Sequence, residues 1–522
     1  VSGIDKKIGR LMVIGFHGTE VTDEVKHLIH TYHVAGIILF SRNINYAQQL
    51  KKLITALQQE AQMAGYQRPL LICLDQENGI VRRLGDDTTI FPGSMAIAAT
   101  EAPDNAFQIS YATGEELRAL GINWNLAPVL DINNNQHNPV IGVRSFSDSP
   151  DQVSAFGQQA MKGMQAAGII PTLKHFPGHG DTQIDSHLGM ATLTHNMERL
   201  EQIELKPFRT CIEAGAEVVM TAHIHFSTME PQQVRPATVS KRVLTDILRN
   251  QLGFQGVITT DCLEMEAISD TIGTENGAVQ AVQAGADLVM ISHTYEKQIG
   301  AAEMLHQAVK TGELSHQRME QSVQRVNRLI DKYTEQAQSQ AFDSVGSSSH
   351  QQLAYQVYQQ SVTIIRNNKQ TMPFAKWDPR VLVIEAVDET GTKAEDETTD
   401  RILIPIVREF LSKAEAVTLP GKLSLPQVNH MIKQAEGYDY IIFGTMNLTP
   451  DSRWGDLIQA CQTKKTKVVG IAMKNPYDVR YFPTADAYLC TYEPTYPAIQ
   501  IAVQAIIGEV DVKGKLPVHI ST

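Results

Sequence analysis

Between the N-terminus and about residue 330, eight short apolar runs recur at intervals and alternate with amphipathic stretches. They are LMVIGF (11–16), VAGIILF (34–40), PLLICLD (69–75), INWNLAPVLDI (122–132), IIPTLKHF (169–176), VVMTAHI (218–224), GVITTD (256–261) and DLVMISH (287–293). Continuous β-branched character fits strands buried on both faces, and segments such as 46–64 and 274–286 have helical spacing. Repeated β-α units of this number and length predict an α/β fold of the TIM-type (β/α)8 barrel kind. Nearly every run ends in a chemically able side chain: Asp75, Asp131, Lys174 with His175, His223, Asp261 and His293. In such a barrel the C-terminal strand ends face one mouth, so these groups are expected to converge there.

The chain continues to 522 residues, more than one barrel needs. Residues 334–352 are polar and aperiodic and read as a linker, which divides the chain into a catalytic domain at 1–333 and a second domain at 353–522. Beyond the linker, VTIIRN (362–367), VLVIEA (381–386), YDYIIFGT (438–445), KVVGIAM (467–473) and AYLCTY (487–492) predict a smaller α/β/α layer domain on an open parallel sheet. This second domain has no dinucleotide GxGxxG after a strand, and no P-loop occurs anywhere in the sequence.

Charge and composition narrow the function. The formal charge of −12, from 45 basic and 57 acidic residues, argues against a nucleic-acid partner. No run has the length of a membrane span. The opening residues lack an apolar signal region, so a cytoplasmic location is expected, or an extracellular one if a leader preceded Val1. Five scattered cysteines without a short CxxC spacing read as small buried hydrophobes.

The densest chemistry lies in KHFPGHGDTQIDSH (174–187), where three His, two Asp and one Lys share a Gly- and Pro-containing loop. With DQENG (75–79), VIGVRSFS (140–147), TTDCLEM (259–265) and GKLPV (514–518) in this order, the chain resembles glycoside hydrolase family 3, in its β-N-acetylglucosaminidase branch. The resemblance extends over essentially the whole chain and implies a barrel followed by an α/β/α sandwich.

Glycoside cleavage needs one group at the anomeric carbon and another to protonate the departing oxygen. Asp261, at the end of the seventh run, suits the first task, and the resemblance places the nucleophile there. His187 suits the second, with Asp185 two residues away to orient the ring and raise its pKa. Asp75, Arg83, Arg144, Lys174 and His175 correspond to positions that bind the terminal sugar in the family. Two departures stand out: Asn78 replaces a Gly, and Ile80 stands where an Arg is usual. Asn tolerates left-handed backbone, so the turn is expected to survive, whereas Ile80 alters the charge balance near the site.

The expected activity is therefore retaining exo-hydrolysis of terminal β-linked N-acetylglucosamine, from peptidoglycan fragments or chitooligosaccharides, with no metal or organic cofactor. A phosphorylase or β-glucosidase of the same family is the alternative. A remoter one is a metal-dependent amidohydrolase using His223 and His225, with His175, His179, His293 and Asp261 as further ligands. The polar segment MNLTPDSRW (446–454) is the second domain's candidate for reaching the site. Oligomeric state is left open by the sequence.

Overall fold

A computed structural model describes residues 3–183, 189–335, 341–375, 378–387, 401–463 and 465–520. All eight apolar runs become strands of one parallel sheet. β1 (Met12–Ile14), β2 (Gly36–Ile38), β3 (Leu71–Leu74), β4 (Trp124–Asn125) and β5 (Ile170–Pro171) come first, and β6 (Leu173–Phe176) continues the fifth run beyond Thr172. β7 (Ala191–Leu193) pairs with β9 (Ile224–Phe226) in a separate two-stranded sheet, while β8 (Val218–Thr221), β10 (Val257–Cys262) and β11 (Leu288–Ile291) complete the large one. The order is β5-β4-β3-β2-β1-β11-β10-β8-β6. Since β5 and β6 belong to one run of chain, the sheet closes into a barrel of eight staves.

Period-two alternation sorts the apolar side chains. Val13, Ile38, Cys73, Trp124, Ile170, Val218, Met220, Val257 and Met290 fill the interior. Met12, Ile14, Ile37, Ile72, Leu74, Val219, Ile258 and Val289 face outward into the surrounding helical layer. Helix His316–Glu335 contributes Val326, Leu329, Ile330 and Tyr333 to the interior cluster, closing the end where the strands begin. It is tied there through Asp287, whose carboxylate accepts from Ser322 at 2.7 Å, Arg325 at 3.1 Å and the Ile258 amide at 3.0 Å. Among the described residues, the opposite end, where the strands finish, is the end left open.

Residues 334–352 span the end of helix His316–Glu335 and the start of helix Ser348–Ser361. The second sheet comprises β12 (Thr363–Asn367), β13 (Val381–Ala386), β14 (Glu415–Leu419), β15 (Tyr440–Thr445), β16 (Lys467–Ala472) and β17 (Ala487–Cys490), in the order β12-β17-β16-β15-β13-β14. Val383, Ile442 and Leu489 pack on the side of helices Leu403–Phe410 and Tyr496–Ile507. Ile384, Phe443 and Tyr488 pack on the side of helices Leu425–Gln434 and Trp454–Cys461, giving three layers.

Two features correct the expected parallel sheet. β12 runs antiparallel to β17, because apolar periodicity carries no direction and the strand enters the edge straight from helix Ser348–Ser361. β14 is an additional edge strand in which only Leu419 is buried, so it presents no continuous apolar run.

Candidate active site

The strand ends of the barrel surround a cavity of ≈ 520 Å³, within the usual range for a small-molecule site. Asp75, Arg83, Arg144, Lys174, His175 and Asp261 all line it, so six of the eight residues singled out from sequence share one cavity. Asp185 and His187 lie outside the described residues.

Parallel strands deliver these groups from distant parts of the chain. Asp75 directly follows β3, Lys174 and His175 lie on β6, and Asp261 lies on β10. Arg144 comes from a short turn, Gly142–Arg144, in the loop after β4. Lys174 Nζ donates to Asp75 Oδ1 at 2.7 Å, and Arg83 Nη2 lies 3.7 Å from Asp75 Oδ2. Asp261 Oδ1 accepts from the following amide, Cys262 N–H, at 2.7 Å.

Glu77, which the sequence reading passed over, organises this wall. It accepts two hydrogen bonds from Arg144, at 2.9 and 2.8 Å, and lies 2.6 Å from Lys174 Nζ. Burial pushes its carboxyl up, but Arg144 and Lys174 pull harder and hold it well below the usual carboxylate range. Burial alone would lower both cations. Glu77, with Asp75 beside it, instead raises Arg144 and Lys174 above their ordinary values. Its only local signal was its place in DQENG, on the same side of an extended segment as Asp75.

A second buried acid, Asp131, holds His175. Asp131 Oδ2 is 2.6 Å from His175 Nδ1, and its Oδ1 accepts from the His179 amide at 2.6 Å. Burial would raise Asp131, yet His175 and His179 lower it further, so it is a carboxylate. The buried His179 is itself pushed down to about 4 by desolvation, which keeps the ring neutral. Phe40, Arg42 and His293 also line the cavity, with the Arg42 guanidinium 4.3 Å from the Phe40 ring centroid and the His293 ring at 5.2 Å.

The metal alternative fits the geometry poorly. His223 uses Nδ1 toward Thr238 Oγ1 at 2.7 Å and Nε2 toward the Cys262 carbonyl at 2.9 Å, committing both ring nitrogens to protein. His225 Nδ1 meets the Arg235 carbonyl at 3.1 Å. Among the described residues, Asp181, His195 and Glu204 alone cluster with ligand-like spacing. There Arg199 Nη2, 2.9 Å from Asp181 and 3.3 Å from Glu204, already supplies positive charge.

One further expectation needs correction. Segment 446–454 contributes no residue to the cavity wall among the described residues; Leu448 and Trp454 are buried in the second domain's apolar cluster instead. Ile80 is not among the residues lining the cavity and packs against that same cluster, which includes Met95 and Val143 of the barrel domain.

A closed parallel barrel whose mouth gathers a strand-end carboxylate opposite a hydrogen-bonding wall is the arrangement of a glycoside hydrolase. The description "Glycosyl hydrolase family 3 N terminal domain" matches residues 3–329, and the chain belongs to this family. It is 30% identical to a Beta-hexosaminidase A of Pseudoalteromonas piscicida, over 96% of this chain and 92% of that protein. A shorter Beta-hexosaminidase of Stenotrophomonas maltophilia is 36% identical over 54% of this chain and 83% of its own. Among solved structures, a family 3 β-N-acetylglucosaminidase from Paenibacillus sp. str. FPU-7 superposes with a TM-score of 0.92 at 36% identity, covering 100% of this chain and 99% of the other.

Proposed function

We propose that the protein is a retaining exo-β-N-acetylglucosaminidase that removes terminal non-reducing β-linked N-acetylglucosamine from peptidoglycan fragments or chitooligosaccharides. The observation that carries this reading is the placement of Asp261 on the same cavity as Asp75, Arg83, Arg144, Lys174 and His175. Asp75 offers a carboxylate to vicinal hydroxyls while Lys174 and the arginines offer donors, a set that discriminates sugars by hydroxyl geometry. Asp261 forms a bond to the anomeric carbon as the glycosidic C–O bond breaks, and His187, oriented by Asp185, gives its proton to the departing oxygen. Water then attacks the anomeric carbon, His187 takes a proton from it, and Asp261 leaves as a carboxylate. The similarity to the β-N-acetylglucosaminidase and β-hexosaminidases above supports the substrate class.

The test is covalent trapping. A 5-fluoro N-acetylglucosaminyl donor should inactivate the enzyme, and peptide mass spectrometry should find the sugar ester on Asp261. Asp261→Ala should abolish both labelling and turnover while retaining the folded circular dichroism spectrum. Labelling of Asp75 or Glu264 instead would overturn the assignment.

A further inference from the structure

The second domain sends no described side chain into the cavity, yet one of its carboxylates is built into the loop that supplies the cavity's sugar-binding wall. Glu493 lies just beyond β17 and is only 1% exposed. Its Oε2 accepts from the Gly93 amide of the barrel domain at 2.7 Å. Its Oε1 accepts from Tyr358 Oη at 2.6 Å and from Thr495 Oγ1 at 3.0 Å.

Gly93 closes the excursion that begins at Asp75. Within it, Gln76 Oε1 accepts from the amides of Arg83 and Leu84 at 3.0 and 3.3 Å, and the Gly79 amide donates to the Phe91 carbonyl at 3.3 Å. Gly79 and Gly93 touch backbone to backbone: a Cβ on Gly79, whose φ is +61°, would stand 2.8 Å from Gly93 Cα and 2.9 Å from Glu493 Oε2. At Gly79 a side chain would collide with the Gly93 backbone and the carboxylate, and at Gly93 it would press on the Gly79 backbone at 3.0 Å and the carboxylate at 3.1 Å. The same helix that carries Tyr358 makes a second tie, since His350 Nδ1 lies 2.9 Å from Glu116 Oε1 and Glu116 Oε2 accepts from the Thr89 amide at 3.1 Å.

We infer that Glu493 is a positioning residue of the barrel's site: by holding Gly93 against Gly79 it fixes the 75–93 loop, and through that loop the placement of Asp75, Glu77 and Arg83 toward the sugar. The inference rests on the sugar-binding role assigned to these three residues. Burying a carboxylate here is unfavourable, and desolvation pushes Glu493 up to about 7. Tyr358, Thr495 and the Gly93 amide face it directly, and Arg82 is the nearby cation that partly offsets the burial. The ionised form is the better acceptor for the Gly93 amide, so the anchor weakens as pH falls through neutrality.

Glu493→Gln and Tyr358→Phe, both close in shape to the native side chains, test this. Each should increase amide hydrogen exchange in peptides covering 75–93 relative to peptides of the barrel strands. Each should also raise KM for an aryl N-acetylglucosaminide roughly fivefold while kcat stays within about twofold, as expected when binding alone is loosened. Glu493→Gln should in addition flatten the part of the KM profile that changes between about pH 6 and 8 in the native enzyme, because it no longer titrates there. Unchanged exchange in 75–93 overturns the anchor. Increased exchange with unchanged KM overturns its control of sugar binding. Asp75→Asn serves as the separate check on the site: if it leaves KM and kcat unaltered, the sugar-binding role of the loop fails independently of Glu493.

Discussion

Arg144 and Glu77 are joined by two hydrogen bonds, from Nε to Oε2 at 2.9 Å and from Nη2 to Oε1 at 2.8 Å, with side chains only 5% and 3% exposed. Lys174 adds a second cation at 2.6 Å. Breaking such a buried group from one side strands uncompensated charge. Glu77→Ala should therefore cost about 3–5 kcal/mol of stability in urea denaturation and impair sugar binding. The loss should be nearly the same at pH 5 and pH 7. Glu77 titrates below its ordinary value in the folded state, so its contribution is full above the ordinary carboxylate range and is lost progressively as pH falls from there to the lower folded value. A mutant whose deficit has already shrunk substantially at pH 5 would contradict the depressed pKa.

The Asn78 backbone is left-handed, with φ 69°, and its side chain is used twice: Nδ2 donates to Thr113 Oγ1 at 3.0 Å, and Oδ1 accepts from Gln76 Nε2 at 3.2 Å. Asn78→Gly removes two hydrogen bonds but relieves the backbone, so a loss of only about 1 kcal/mol is expected. Asn78→Val adds steric strain of roughly 1–2 kcal/mol to the same lost bonds. Thermal melts that rank the two variants equally would show that the left-handed turn is not what selects this residue.

If His187 is the proton donor, its loss should matter most where the leaving group needs a proton. His187→Ala should slow a chitobioside far more than an activated aryl N-acetylglucosaminide, and Asp185→Ala should act in the same direction more weakly. Equal losses on both substrates would point to binding rather than proton transfer.

A neutral or protonated imidazole does not repel an anionic acceptor as a carboxylate does, so phosphate could approach the glycosyl ester. Hydrolysis is nevertheless expected, since the sequence contains no dedicated phosphate cradle. Mass spectrometry of the product released in phosphate buffer should show free N-acetylglucosamine as the main species; the sugar 1-phosphate as the main species would make the enzyme a phosphorylase.

The barrel and most of its mouth were legible in the chain because parallel strands buried on both faces must be apolar throughout, and a polar residue at such a run's end has only the mouth to occupy. Asp75, Lys174, His175 and Asp261 were found that way. Arg83 and Arg144, which lie on loops, came from their resemblance to family motifs. What the sequence did not disclose depends on pairs distant along the chain. Glu77 shares only one side of a short extended segment with Asp75, and its importance comes from Arg144 and Lys174 meeting it in a space that excludes water. Ile80 reads from sequence as a departure in charge, and only the folded chain shows the apolar surface, mostly of the second domain, that it packs against. The direction of β12 was settled by its pairing with β17 inside the second domain, and the burial of Glu493 against Gly93 by how the two domains pack. Local pattern determines which faces are buried, whereas desolvated charge pairs depend on which faces meet, and only the tertiary structure decides that.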